Sequence, residues 1–296
     1  MFKNCTLCPR NCGVDRTGFE RGFCGSGDKT AIARASLHKW EEPCISGENG
    51  SGTVFFSGCS LGCVYCQNRK ISCGETGKRV SEEELCDIFL RLQENKAENI
   101  NLVTPTHFVP HIIASLEAAK KKGLKLPVVY NTSGYEKVET LKMLGGLIDI
   151  YLPDFKYYSS ELARKYSHAP DYPQAAKAAL REMVRQTGAP VFDESGMMKS
   201  GVIVRHLLLP GYEKDSERII EYLFKTYGND IYISIMSQFT PLENVKAYPE
   251  INRKVTKKEY DRLLDFAIGL GVENAFIQEG DAADESFIPD FDLSGV

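Results

Sequence analysis

No cysteine follows Cys86 in this chain of 296 residues, although ten lie up to that point. Apolar runs of membrane-spanning length are missing as well, so no transmembrane helix is expected. The opening MFKNCTLCPR has no apolar stretch behind its basic residue, which argues against a secretory signal. Dense Lys/Arg runs with interleaved aromatics are absent, and the net charge is -4 with a pI near 5.8. Neither a nucleic acid nor a membrane is therefore an expected partner.

These absences place the chain in the cytoplasm, where thiols stay reduced. Cysteines crowded into one end of a reduced protein read as metal ligands rather than disulfides. They are Cys5, Cys8, Cys12, Cys24, Cys44, Cys59, Cys63, Cys66, Cys73 and Cys86. The rest of the composition, 43% hydrophobic and 26% charged, is that of an ordinary folded domain with a large core.

Residues 1–50 are rich in Cys, Gly, Asn and Asp and read as an irregular metal-binding module. Ser46 to Gly52 is a turn-rich junction. From there to residue 280, short β-branched or aromatic runs alternate with amphipathic stretches. The strand candidates are 53–57, 100–104, 127–131, 148–152, 202–209 and 231–236, with 275–278 as a further one. Helices are expected after the capping box of Ser81 and Glu84, and near 110–122, 136–144, 172–186, 216–227 and 257–270. Gly123, Gly188, Gly228 and Gly271 stand where helices stop. Residues 190–200 read as a small inserted hairpin. Residues 281–296 read as an acidic tail, loose or wrapped on the barrel.

Strand–helix alternation implies a parallel sheet with right-handed crossovers. The expected fold is α/β: a partial (β/α)6 TIM-like barrel over 51–280 with a small Cys-rich N-terminal module. A doubly wound open sheet is the alternative. Either fold puts its site at the C-terminal ends of the strands.

The first of those strands runs into Gly58-Cys59-Ser60-Leu61-Gly62-Cys63-Val64-Tyr65-Cys66. Three thiolates on one short loop can hold three corners of an iron–sulfur cubane and leave one iron open. A structural zinc site is the rival, and zinc prefers four protein ligands. Cys5, Cys8, Cys12 and Cys24 offer such a closed set, for zinc, mononuclear iron or an auxiliary cluster. Cys44 is a substitute ligand, whereas Cys73 and Cys86 read as ordinary thiols.

Later strand ends carry polar residues. Thr104, Thr106 and His107 end the second strand. Asn131 and Ser133 end the third, and Asp154 and Lys156 the fourth. On the fifth, alternation puts Arg205 and His206 on opposite faces, and Arg205 is expected to face inward toward a carboxylate. Gln238 ends the sixth.

The Cys-x3-Cys-x2-Cys spacing, with Tyr65 just before the last cysteine, resembles the signature of the radical S-adenosylmethionine superfamily. That resemblance implies a 4Fe-4S cluster on Cys59, Cys63 and Cys66. It also implies S-adenosylmethionine chelated at the open iron, and reductive cleavage to a 5′-deoxyadenosyl radical that abstracts hydrogen. The Gly-Gly-Glu-like segment usual on the second strand is absent, and Thr104 and Thr106 stand in its place. Asn131 and Ser133, Asp154-x-Lys156, and Arg205 ahead of Pro210-Gly211 resemble cofactor contacts of glycyl-radical-enzyme activases. With Cys-Thr-Leu-Cys-Pro-Arg-Asn-Cys-Gly and Glu-Glu-Pro-Cys-Ile-Ser-Gly, residues 4–280 resemble the pyruvate formate-lyase-activating-enzyme-like iron–sulfur proteins. The resemblance implies a low-potential electron donor such as flavodoxin or ferredoxin and a protein-glycine substrate. Radical modification of another peptide or small molecule is the alternative. A non-catalytic metal scaffold is the rival of a different class.

Overall fold

The computed structural model describes residues 1–278 and 289–296. Its strands are β1 (Thr30–His38), β2 (Ser51–Phe56), β3 (Lys78–Val80), β4 (Ile100–Val103) and β5 (Val128–Thr132), followed by β6 (Ile150–Pro153), β7 (Val191–Phe192), β8 (Met198–Leu207), β9 (Tyr232–Met236) and β10 (Ala275–Ile277). The spatial order is β10-β9-β8-β6-β5-β4-β2-β1-β3. From β2 to β10 every neighbouring pair along this path is parallel. β10 and β3 are the two ends of the path, so the sheet is an unclosed partial barrel. Its curvature is evident from one cavity lined both by Phe276 and Ile277 of β10 and by His38, the last residue of β1, with Trp40 just beyond it.

Helices α1 (Pro43–Ser46), α2 (Arg69–Ser72), α3 (Glu82–Glu94), α4 (Val109–Lys121) and α5 (Val138–Met143) precede α6 (Ser160–Ser167), α7 (Tyr172–Thr187), α8 (Glu213–Tyr227) and α9 (Lys257–Leu270). The capping box at Ser81 forms, with both reciprocal bonds in place. Gly188, Gly228 and Gly271 cap α7, α8 and α9, and Gly123 lies one residue past the cap of α4. The hairpin before β8 also forms, β7 pairing antiparallel with it.

Alternation divides the barrel strands between two cores. Tyr130, Tyr151, Val202 and Val204 join the helices in the main one. Val129, Ile150, Leu152 and Ile203 face the concave side, where Cys44 and Ile45 of α1 pack on them. The floor of the barrel is thus filled by the N-terminal segment.

The first fifty residues are less irregular than expected. Thr30–His38 is a nine-residue strand antiparallel to β2, and β3 pairs on it. Alanine and serine fill many of its positions, which weakens the β signal. Of the expected tail, 281–288 lie outside the described residues, as does the barrel boundary at 280. Residues 289–296 lie along β1. The Leu293 N–H donates to the Ala33 carbonyl at 3.1 Å, and the Ala35 N–H donates to Ser294 at 2.9 Å. Among the described residues no helix is long and apolar enough to cross a membrane.

Candidate iron–sulfur and cofactor site

The cysteine loop leaves β2 through Gly58, whose φ of +92° suits glycine. A Cβ there would lie 2.4 Å from Ser26 Oγ and 2.7 Å from the Cys24 carbonyl. The N-terminal segment therefore packs directly on the backbone that presents Cys59. His107 is buried, and its Nε2 lies 2.8 Å from the Ser57 carbonyl, fixing the end of the strand. Burial pushes this imidazole down to about 4, so it is neutral at physiological pH and donates from Nε2.

Two arginines tie this wall together. Arg10 donates to the carbonyls of Ser60 and Leu61, each at 3.0 Å, and to Ser167 at 2.9 Å. The wholly buried Arg16 donates to the His107 carbonyl at 2.8 Å and the Ser26 carbonyl at 3.1 Å. Side-chain forks are answering backbone carbonyls that the irregular loops leave unpaired.

The loop thiols are neighbours. Burial pushes the Cys59 thiol up to about 12, and the charges of Cys66 and Cys63 add to the effect. Burial and Cys63 push Cys66 up to about 11. Ser167 donates its hydroxyl to Cys63 Sγ at 3.0 Å, and the Leu61 N–H donates to Cys59 Sγ at 3.4 Å. Mutually repelling thiolates in a buried pocket fit a polycationic group that displaces their protons. Tyr65 is buried among Tyr157, Tyr166 and Phe239, with centroids 5.8 to 6.5 Å away, and anchors the loop by packing.

The strand ends carry charge toward this loop. Lys156 Nζ lies 2.6 Å from Asp154. Burial opposes its charge, yet Asp154 and the thiols of Cys63 and Cys66 hold its pKa above the usual lysine value. Asp154 bridges to Arg205 on β8, with Nε 3.6 Å from Oδ1. Arg205 faces the concave side and meets carboxylates of the chain itself, Glu41 at 2.6 Å and Glu42 at 3.8 Å. His206, on the opposite face, places Nδ1 2.7 Å from the Phe155 carbonyl.

A cavity of about 370 Å³ lies on this concave side, lined among others by Glu41, Glu42, Asn131, Arg205, Gln238 and Gln67. Gln67 comes directly after Cys66 and donates to the Gln238 carbonyl at 3.0 Å, joining loop and cavity wall. Asn131 and Asn101 both donate to Glu41, at 3.3 and 3.0 Å. Thr104, Thr106 and Ser133 are not among the lining residues. Thr104 adopts φ +58° and gives its N–H to the Asn131 carbonyl. The Thr106 hydroxyl donates instead to buried Glu136, as do those of Thr132 and Tyr130. Ser133 accepts at its carbonyl from Tyr172 at 2.9 Å.

In the N-terminal set, burial pushes the Cys8 thiol up to about 12, and the charges of Cys24, Glu136 and Cys12 reinforce the shift. The Phe23 N–H donates to Cys12 Sγ at 3.5 Å, and Arg16 donates to Cys5 Sγ at 3.5 Å. Cys44 packs on the barrel floor, away from this set. Among the described residues no three His, Cys, Asp or Glu side chains stand in ready-made geometry for a single ion. Arg10, Glu41 and Glu42 lie inside the stretches that carry the family resemblance but were given no role there, and Arg16 and Ser167 were not singled out at all.

A parallel α/β barrel left open, with three thiols on the loop after its first parallel strand, defines a class of barrel enzymes built around an iron–sulfur group. The family model for the Radical SAM superfamily matches residues 53–223, and the chain belongs to that superfamily. It is similar to an uncharacterized protein of Methanocaldococcus jannaschii, 30% identical over 277 residues that cover 90% of this chain and 75% of that one. Among solved structures it resembles a radical SAM methyltransferase from Sphaerobacter thermophilus, with a TM-score of 0.54 at 16% identity, covering 77% of this chain and 66% of that one. SuiB of Streptococcus suis, solved with its precursor peptide SuiA, gives 0.49 at 12% identity over 75% of this chain and 46% of that one. The chain thus spans just under two thirds of the first solved structure and under half of the second. Membership implies a 4Fe-4S cluster, S-adenosylmethionine and radical chemistry dependent on both.

Proposed function

We propose that Cys59, Cys63 and Cys66 hold the cluster and that the concave cavity receives S-adenosylmethionine. The observation that carries this reading is the gathering of Cys59, Cys63 and Cys66 on the one loop after β2, with Lys156, paired to Asp154 at 2.6 Å, near enough to interact with Cys63 and Cys66. When bound and reduced, the cluster supplies the electron that cleaves S-adenosylmethionine to methionine and a hydrogen-abstracting 5′-deoxyadenosyl radical.

The protein's own residues position and shield. Lys156, held protonated, offers a point charge to the cofactor carboxylate. Asn131, Asp154 and Ser133 supply hydrogen-bonding groups along successive strand ends, with Thr104 and Thr106 shaping the second. Arg205 contributes Nε, which has no hydrogen-bond acceptor of its own. Tyr65 and its aromatic neighbours keep water from the back of the loop.

Cys5, Cys8, Cys12 and Cys24 are proposed as a second metal site, for zinc, iron or an auxiliary cluster. A low-potential flavodoxin or ferredoxin is the proposed electron donor, and the cytoplasm the compartment. The strand-end likeness to activases favours a protein glycine as substrate; another peptide or a small molecule is the competing reading.

The test is anaerobic reconstitution with iron and sulfide, followed by reduction with S-adenosylmethionine present. The expected products are 5′-deoxyadenosine and methionine, and Cys63→Ala yields neither. A fully loaded wild-type cluster that forms no 5′-deoxyadenosine overturns the reading and leaves a metal-binding scaffold.

A further inference from the structure

The cavity floor holds more negative charge than the chain itself neutralises. Two carboxylates line it, those of Glu41 and Glu42, against one cation, Arg205, and Arg205 is shared with Asp154 behind the lining, which Lys156 neutralises. Lys156 is matched by Asp154 at 2.6 Å, and Arg205 by Glu41 at 2.6 Å. Glu42 is left over. It is 8% exposed, lies 3.8 Å from the Arg205 guanidinium, and its Oε2 is buried without a hydrogen-bond partner. The other titratable group on the lining, His38, is held toward its neutral form, chiefly by burial. Arg34, near His38, is engaged by Asp292 at 3.0 Å.

Ser234 hydrogen-bonds the Glu42 carboxylate and Arg205 partly offsets its charge, but the buried Oε2 has no donor, and such an oxygen is relieved by a proton or by a cation entering from outside. When the cavity is empty, burial raises the Glu42 pKa and so favours the proton. A ligand cation would take the proton's place and would be held at low dielectric, where ion pairing is strong. Both glutamates are brought to the floor by the segment between β1 and α1, and Ile45 seats that segment on the barrel strands.

We propose that Glu42, framed by Glu41 and Arg205, is a recognition subsite for an alkylammonium group on the substrate. The inference rests on the radical reading of the neighbouring loop and adds to it the charge of the molecule that is modified. The α-amino group of S-adenosylmethionine has the same chemistry, so the test separates the two sources.

The probe is n-butylammonium, with n-butanol as its neutral counterpart, observed by saturation-transfer NMR on wild-type protein carrying the oxidised cluster. Butylammonium is expected to bind about tenfold more tightly than butanol, the scale of one charge-assisted hydrogen bond. That preference persists in saturating S-adenosylmethionine, and Glu42→Gln removes it. Glu221→Gln, an exposed carboxylate on α8, keeps it. Equal binding of amine and alcohol to the wild type overturns the subsite without reliance on any variant. Displacement of butylammonium by S-adenosylmethionine overturns its assignment to the substrate. Formation of 5′-deoxyadenosine is measured on the same preparations. Cleavage without ammonium preference defeats the subsite alone, and ammonium preference without cleavage defeats the radical reading on which it rests.

Discussion

Arg10 Nε donates to the Ser60 carbonyl at 3.0 Å across a separation of fifty residues. The same guanidinium holds Leu61 and Ser167, and it lies 3.7 Å from the centre of the Phe23 ring. One planar fork thus clamps the backbone between the first two cysteines of the loop. Lysine has the charge but lacks the fork. Arg10→Lys is expected to reduce iron and sulfide retained after reconstitution several-fold and to lower stability by about 2 kcal/mol. Iron content per chain and chemical denaturation read the two effects, and unchanged iron retention would refute the clamp.

Ser167 donates to Cys63 Sγ at 3.0 Å and shares a hydrogen bond with the Tyr157 hydroxyl at 2.7 Å. A hydrogen bond to a ligating sulfur stabilises the more negative, reduced cluster. Its loss in Ser167→Ala is expected to lower the cluster midpoint potential by about 40 mV, since 59 mV corresponds to a tenfold change for one electron. Redox titration followed by electron paramagnetic resonance measures this. A potential that stays put or rises would show that the hydroxyl does not act on the cluster.

Glu259 opens α9 and gathers several donors. Its carboxylate accepts from Arg253 at 2.6 and 2.8 Å and from the N–H groups of Thr256 and Gly211, each at 2.8 Å. Arg253 first, and these donors after it, hold the carboxyl down to about 2 against an ordinary 4.5. A depressed acid contributes stability that is complete above about pH 4.5 and disappears as pH falls toward 2. Glu259→Gln is expected to cost about 2 kcal/mol at pH 7. The gap from wild type should narrow steadily below pH 4.5, as read by denaturant unfolding across that range. A gap that does not change with pH would mean that packing, not charge, is what the carboxylate supplies.

The barrel was legible because parallel strands buried on both faces read as continuous apolar runs. Each of the seven runs expected from residue 53 onward overlaps one of β2, β4, β5, β6, β8, β9 and β10, with ends displaced by up to four residues. The boundaries of α9 match as well, with Thr256 as its cap and Gly271 as its stop. β1 escaped notice because small residues blur its alternation, and α6 because its eight residues follow Pro153 and a cluster of tyrosines. The cysteine loop was legible from spacing alone. Glu41 and Glu42 open the quoted Glu-Glu-Pro-Cys-Ile-Ser-Gly stretch, but their role was not legible, since side by side in sequence they look like any solvated acidic pair. Only the fold sets them against Arg205, more than a hundred and sixty residues away. The contacts of Arg10 and Arg16 were hidden for a related reason: their partners are chiefly backbone carbonyls, which carry no sequence signature.

The seating of Ile45 against Val129, Ile150, Leu152 and Ile203 bears on how the chain reaches this state. Ile45 leaves the ribosome early, and its β8 partner Ile203 follows only after most of the chain has been made. Contacts so distant along the chain form slowly, because the loop between them must first be closed. Until β8 is in place, the nascent protein holds an apolar short helix with nothing complete to rest on. The same contacts hold the segment that carries Glu41 and Glu42, so both glutamates depend on pairings that close late along the chain.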